Sequence, residues 1–318
     1  MLFTNIGHYD IIIIAKLCIK EDIMRFVAVE AYAKLNWSLA VLGKMENGYH
    51  ELDMLLQSVS LCDKIDIQRA DEISLKVNGK ETPFAQKNLC VKAANAFFEY
   101  TGMNKGCDIS LTKRIPICAG MGGGSADAAG TLIALNVLYE TRLKHEELVD
   151  IGMSLGADVP FMLKGGLMRA GGIGERLESK RLGDNIDILV LMPRKGASTP
   201  EIFSAFDAIT PPKPIDNDAL VAALEAGDKT RVAGLMANHL QPVTASLNPG
   251  IAIATEALMN CGAMGAMMTG SGSACFGIYP DADSAAKAQQ VLVRSRDFKG
   301  VYKVHTVHSA VRLCRLLR

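Results

Sequence analysis

Apolar and polar residues alternate through the first clear element of the chain. Leu35, Trp37, Leu39 and Val41 are separated by Asn36, Ser38 and Ala40. A period of two predicts a strand with one buried face. Asn47-Gly48 predicts a tight turn, and Tyr49-His50-Glu51-Leu52 leads into a return strand that runs through Leu55 and Val59 to Leu61. Two more short strands are expected, one around Ile65 and Ile67 and one across Ile73, Leu75 and Val77. The period then becomes helical. Leu89, Ala93, Ala96 and Phe97 fall on one side of a helix over 88–100. A half-exposed strand over 109–115, a glycine-rich loop and a helix to Leu138 follow, and a further helix over 145–155 stops at Gly156.

The apolar run 186–192 reads as a strand ended by Pro193, and Pro211-Pro212-Lys213-Pro214 as a linker. Beyond it the pattern predicts helices over 216–238 and 249–260 and a strand over 264–269. The loop Gly270-Ser271-Gly272-Ser273, a strand over 275–279, a helix over 282–294 and a strand over 301–306 complete the chain. Several antiparallel strands with interspersed helices place it in the α+β class. Two layered halves are expected, 24–180 and 181–318.

Composition narrows the partners. The 318 residues are 49% hydrophobic and 21% charged, with zero formal net charge. That balance suits a globular protein with ample core and argues against nucleic acid, whose recognition draws on clustered Lys and Arg. Eight cysteines without a C-x-x-C pair resemble neither a zinc site nor a disulfide framework, so reduced thiols and a cytoplasmic location are expected. Residues 257–280 carry no charge, but Gly, Ser, Asn and Thr interrupt them, and no membrane span is expected. Ile11-Ile12-Ile13-Ile14 is short and soon followed by charges, a poor signal peptide. Residues 1–23 read as an N-terminal extension ahead of a domain that starts near Met24.

The candidate chemistry centres on Pro116-Ile117-Cys118-Ala119-Gly120-Met121-Gly122-Gly123-Gly124-Ser125-Ala126, which precedes an alanine-rich helix. Glycines let backbone N–H groups approach a ligand, and a helix start adds unpaired N–H groups and the positive end of its dipole. This is an anion cradle suited to nucleotide phosphates, or else a tight turn that packs strand on helix. No G-x-x-x-x-G-K-[ST] occurs. The dinucleotide pattern G-x-G-x-x-G fails because Ser125 stands where its last glycine would be. Lys34, among small and apolar neighbours, is either a cleft-facing ammonium or a solvated strand lysine. Asp158, before Val159-Pro160, is either a helix N-cap or a general base in a rigid turn. Tyr49 and His50 follow the Asn-Gly turn, and Gly270-Ser271 forms a second small-residue loop.

Taken together, these stretches resemble the GHMP kinase superfamily, the galacto-, homoserine, mevalonate and phosphomevalonate kinases. Its ATP loop has the form P-x-x-x-G-L-G-S-S-A, and Pro116 to Ala126 occupies that place. Four stretches are similar to the branch that acts on a cytidyl-bearing methylerythritol. They are Ala33-Lys34-Leu35-Asn36, Asn47-Gly48-Tyr49-His50-Glu51-Leu52, Gly122–Ala129 and Gly156–Phe161, joined by Thr269-Gly270-Ser271-Gly272. Met121 replaces the usual Leu and Asn47 the usual Asp, and Cys118 stands where small residues are common.

The resemblance implies a first domain like ribosomal S5 domain 2, a C-terminal α/β sandwich and an active site in the cleft between them. It implies transfer of the ATP γ-phosphoryl group to an alcohol, the 2-hydroxyl of that substrate. Asp158 would take the hydroxyl proton, and Lys34 would hold carboxylate and oxygen in place. Pro116 and Gly120 to Ala126 would cradle the triphosphate, with Mg2+ bridging its phosphates, and Asn88 would lie near the adenine. Tyr49 and His50 would take the cytosine, while Asn36, Gly270 and Ser271 would contact the substrate. A monomer or homodimer is expected. The alternatives are a mevalonate or homoserine kinase of the same superfamily, or a catalytically silent nucleotide-binding protein.

Overall fold

The computed structural model describes residues 24–82, 85–208 and 212–317. The extension expected over 1–23 lies outside them. A long hairpin organises the larger sheet: β1 (Phe26–Lys44) pairs antiparallel with β2 (His50–Ala70) around the Asn47-Gly48 turn. Ile65 and Ile67 belong to β2 and not to a strand of their own. Cys62-Asp63-Lys64 contains no Gly or Pro, and the ladder to β1 continues across it. Only 73–77 supplies a separate strand, β3 (Ser74–Val77), which is followed by the two-residue β4 (Lys80–Glu81).

Four helices and three strands complete this part. Helix α1 (Leu89–Thr101) precedes β5 (Gly106–Thr112). Then come α2 (Gly123–Leu138), α3 (His145–Leu155) and the short α4 (Val159–Lys164). Strands β6 (Leu167–Gly172) and β7 (Arg176–Lys180) extend the sheet from β2. Gly130 brings α2 close to β1 and β2, since a Cβ there would meet Ile65 Cδ1 at 2.7 Å and Ala31 Cβ at 3.2 Å.

The C-terminal part runs through β8 (Asp187–Met192), α5 (Thr199–Phe206), α6 (Asn217–Ala226), α7 (Lys229–Leu235) and β9 (Ala237–Asn238). It continues with α8 (Gln241–Leu247), α9 (Gly250–Asn260), β10 (Gly265–Met268), β11 (Cys275–Tyr279), α10 (Ala282–Ser295), β12 (Gly300–His305) and β13 (Val311–Leu317). The second sheet has the order β10-β11-β8-β12 and is antiparallel throughout. The single helix expected over 216–238 is two, because Gly227 turns left-handed at φ +71° and Asp228 caps a new start.

The boundary expected near 180 falls between β7 and β8, yet two later segments return to the first sheet. β9 pairs parallel with β1 at Ser38 and Leu39, and β13 pairs with the start of β1. Segments 237–238 and 311–317 therefore do not follow a cut at 180. Strand β1 also departs from the one-sided pattern, for every residue from Ala31 to Val41 is buried. Helix α2 covers one face and the C-terminal part the other, so Lys34, Asn36 and Ser38 sit inside the protein. Among the described residues no helix is long and apolar enough to cross a membrane.

Candidate active site

Lys34 is 5% exposed, which rules out the solvated-lysine reading. Its Nζ donates to Asn36 Oδ1 at 2.8 Å and lies 4.0 Å from Asp158 Oδ2. Asp158 holds the N-cap position of α4 but makes no capping hydrogen bond. An aspartate that is not used to cap, beside a buried ammonium, is available for other chemistry.

The glycine loop closes over this pair. Met121 C=O accepts the Lys34 backbone N–H at 3.0 Å. Gly122 has φ +68°, and a Cβ there would lie 2.2 Å from Met162 Cε and 3.1 Å from Lys34 Cγ. Glycine adopts that left-handed φ without strain and leaves room for the Met162 and Lys34 side chains. Helix α2 begins at Gly123, two residues before Ser125, so its first free N–H groups come from glycines and Ser125. Such a helix start has the donors and dipole that suit an anion.

A buried charged cluster braces the loop from below. Lys113 Nζ bridges Asp63 Oδ2 at 2.5 Å and Asp127 Oδ2 at 2.8 Å, and Asp63 Oδ1 accepts the backbone N–H groups of Arg114 and Ile115. Burial pushes the Asp127 carboxyl up to about 8, with Lys113 opposing the shift and Asp63 adding to it. Asp127 Oδ1 has no hydrogen-bond partner.

The second small-residue loop meets the first backbone to backbone. A Cβ at Gly120 would stand 2.4 Å from Thr269 O, and one at Gly270 would stand 3.0 Å from Gly120 O. Thr269 Oγ1 accepts the Asn36 N–H at 3.1 Å and lies 3.3 Å from Asn36 Oδ1. Asn238 Nδ2 donates to the carbonyls of Met268 and Gly270. Ser271 Oγ lies 2.7 Å from Thr199 Oγ1, at the start of α5. Thr269, Asn238 and Thr199 therefore hold the site, and of these only Thr269 lies in a stretch the sequence marks.

The expected cytosine residues lie at the far end of the hairpin. Tyr49 is 60% exposed. His50 stacks on Phe203 of α5 at 4.8 Å between ring centroids, and its Nε2 meets Asp207 Oδ1 at 2.6 Å. Asp207 Oδ2 also accepts Lys44 Nζ at 2.5 Å. These two hydrogen bonds, Lys44 first, hold the Asp207 carboxyl below its usual range. Phe203 and Asp207 carry no local sequence signal. Asn88 caps α1 by accepting the Cys90 N–H at 2.8 Å, and Leu89 packs near Gly124. The structure thus brings Lys34, Asn36, Asp158 and both small-residue loops together. It sets Tyr49 and His50 apart from them, beyond two bulges in the β1–β2 ladder.

Comparison with known proteins agrees with this layout. Residues 88–166 match the GHMP kinases N terminal domain, and 220–296 match the GHMP kinases C terminal. A 4-diphosphocytidyl-2-C-methyl-D-erythritol kinase of Pelotomaculum thermopropionicum is 41% identical over 268 residues, 84% of this chain and 92% of its own. The chain belongs to the 4-diphosphocytidyl-2-C-methyl-D-erythritol kinase family. A kinase of that name from Clostridioides difficile is 36% identical over 92% of this chain and 99% of its own. A crystal structure of 4-(cytidine 5'-diphospho)-2C-methyl-D-erythritol kinase matches with TM-score 0.75 and 32% identity, over 88% of this chain and 98% of that one. A homoserine kinase from Cytophaga hutchinsonii matches with TM-score 0.74 but 18% identity, over 93% of this chain and all of that one, a likeness of fold alone. The two-part α+β architecture expected from the motifs is therefore that of the GHMP kinases.

Proposed function

We propose that this chain catalyses ATP-dependent phosphorylation of the 2-hydroxyl of 4-diphosphocytidyl-2-C-methyl-D-erythritol, giving the 2-phosphate and ADP, a step of non-mevalonate isoprenoid precursor synthesis. The observation that carries the mechanism is the buried Lys34 4.0 Å from an Asp158 that caps nothing, under the glycine loop. Phosphoryl transfer asks for positioning and charge stabilisation more than for covalent chemistry. Asp158 takes the 2-hydroxyl proton as that oxygen bonds to the γ-phosphorus and the bond to the ADP oxygen breaks. Lys34 steadies the carboxylate and the attacking oxygen and offsets charge as it develops. The N–H groups of Gly123, Gly124 and Ser125 receive phosphate oxygens, with Pro116, Gly120, Met121, Gly122 and Ala126 shaping the loop. Mg2+ would be held through the ATP phosphates and would offset their charge.

Asn36, tied to Lys34 and Thr269, faces the acceptor, with Gly270 and Ser271 beside it. Tyr49 and His50 take the cytosine, and Asn88 lies on the adenine side while it also caps α1. A substrate that reaches from Lys34, in the middle of the β1–β2 hairpin, to Tyr49 and His50 at its turn must be elongated. A cytidine diphosphate linked to a sugar alcohol has that shape, while mevalonate and homoserine do not.

The test is ADP release from MgATP with the cytidyl substrate, mevalonate and homoserine in parallel. Turnover with the cytidyl substrate alone is expected. Asp158→Asn should lower kcat by about 10²–10⁴, the range for losing a general base, with ATP affinity little changed. Turnover with mevalonate or homoserine instead would overturn the substrate reading. Near-normal kcat in Asp158→Asn would remove Asp158 from its role. ATP binding with no turnover on any of the three would identify a silent nucleotide-binding protein.

A further inference from the structure

Strand β1 breaks its ladder beside the reactive pair. Asn36 faces Leu56 and Ser38 faces Leu55, so Trp37 is an extra residue without a partner on β2. A bulge of this kind re-aims the side chains next to it. Here those are Asn36 and Ser38, and Asn36 in turn accepts a hydrogen bond from Lys34 Nζ. A one-residue slip would turn every following side chain to the opposite face, so the register needs a lock.

That lock comes from the C-terminal part. Ser38 Oγ accepts the Leu55 N–H at 3.1 Å and donates to Asn217 Oδ1 at 2.5 Å. Asn217 Nδ2 donates in turn to the Asp53 carbonyl at 3.2 Å. One side chain, 2% exposed at the start of α6, thus joins β1 to β2 immediately beyond the bulge, on its hairpin-turn side. The next residue holds α6 in place. Asp218 accepts Arg169 Nη1 at 2.6 Å, and the same guanidinium grips the Asp53 carboxylate through Nε and Nη2 at 2.8 and 2.7 Å. The clamp requires an acceptor toward a hydroxyl and a donor toward a carbonyl from one short group. An asparagine amide supplies both, an aspartate lacks the donor, and an alanine lacks both.

We infer that Asn217 is a positioning residue for phosphoryl transfer: by clamping Ser38 to Asp53 it fixes the direction in which Asn36 and Lys34 enter the site. The inference rests on the assignment of Lys34 and Asp158 to the chemistry. Asn217 touches neither reacting group. It acts through the bulge, and a displacement near 1 Å at the reacting centre is enough for about a hundredfold loss of rate.

The experiment measures kcat, KM for MgATP and melting temperature for full-length Asn217→Ala, Asn217→Asp and Ser38→Ala, with Asp158→Asn alongside. Asn217→Ala should lower kcat about 10- to 100-fold, with KM for MgATP within about twofold, because the phosphate loop is not held by Asn217. Asn217→Asp, which keeps the acceptor, and Ser38→Ala should show smaller losses with the same split. A purely structural role would lower the melting temperature and leave kcat unchanged at 20 °C. Ser38→Ala removes a single oxygen, so it reads the clamp even where Asn217→Ala does not fold. Wild-type kcat in all the clamp variants that fold, with Asp158→Asn inactive, overturns the clamp alone. Normal turnover by Asp158→Asn overturns the assigned centre and the clamp's role with it.

Discussion

Gly120→Ala probes the contact between the two small-residue loops on which the site depends. Gly120 sits at φ +74°, and a Cβ there would lie 2.4 Å from Thr269 O, 3.1 Å from Gly272 O and 3.2 Å from Gly272 N. All three are backbone atoms, so no rotamer change relieves the clash. The opposing loop is anchored as well. Thr269 N bonds to Ala274 O at 3.0 Å, Ala274 N to Ala119 O at 3.1 Å, and Asn238 holds the carbonyls of Met268 and Gly270. A left-handed φ costs alanine about 1 kcal/mol, and parting two packed loops by several tenths of an ångström costs about 1–3 kcal/mol more. The sum is about 2–4 kcal/mol. At about 2 °C per kcal/mol for a chain of this size, the melting temperature should fall by about 4–8 °C. Relief of the clash also pulls Thr269 Oγ1 away from the Asn36 N–H it accepts at 3.1 Å. Turnover at 20 °C, where the variant remains folded, should therefore drop too. Thermal unfolding followed by fluorescence, with an ADP-release assay on the same sample, reads both. A melting temperature within about 1 °C of wild type and unchanged kcat would show that the loops do not pack as described.

Two further outcomes are expected. Asp207→Ala frees both His50 and Lys44, so KM for the cytidyl substrate should rise about two- to fivefold, as suits a partly exposed ion pair, while KM for MgATP stays the same. Equal change in both, or in neither, would remove Asp207 from the cytosine end. Asp127→Asn should flatten the pH dependence of stability. Burial raises the Asp127 carboxyl from 3.8 to about 8 in the fold, so the folded protein holds a proton the unfolded chain has lost between those values. Stability from this group is full below about pH 4 and falls as pH rises to about 8. Wild type should therefore lose melting temperature relative to Asp127→Asn between about pH 5 and 8.5, and parallel curves would refute the shift.

Much of the site was legible because its signals are local. The glycines around 120–124 announce a turn and a helix start whatever surrounds them. Gly156-Ala157-Asp158-Val159-Pro160 marks a rigid turn, and the Asn47-Gly48 hairpin was expected where it occurs. Element types were also local, since helical and strand periods are read within one segment. Where one element ran into the next the pattern was weaker. The far half of β2 looked like a separate strand, and the pair α6–α7 looked like one helix across Gly227.

The amino-acid order alone determined the α+β class, the glycine-rich loop ahead of a helix and the motif set of the GHMP kinases, for each depends on residues a few positions apart. It left open whether Lys34 was solvated and whether Asp158 was only a cap. Those answers depended on what covers the second face of β1. The covering groups come from far along the chain, with Met121 and Gly122 against Lys34, Thr269 bonded to Asn36 across 233 residues and Asn217 to Ser38 across 179. Hydrophobic period reports how one segment divides its own residues between two faces. It carries no information about which distant segment lands on either face, and that landing turned a strand lysine into a buried ammonium beside a free carboxylate.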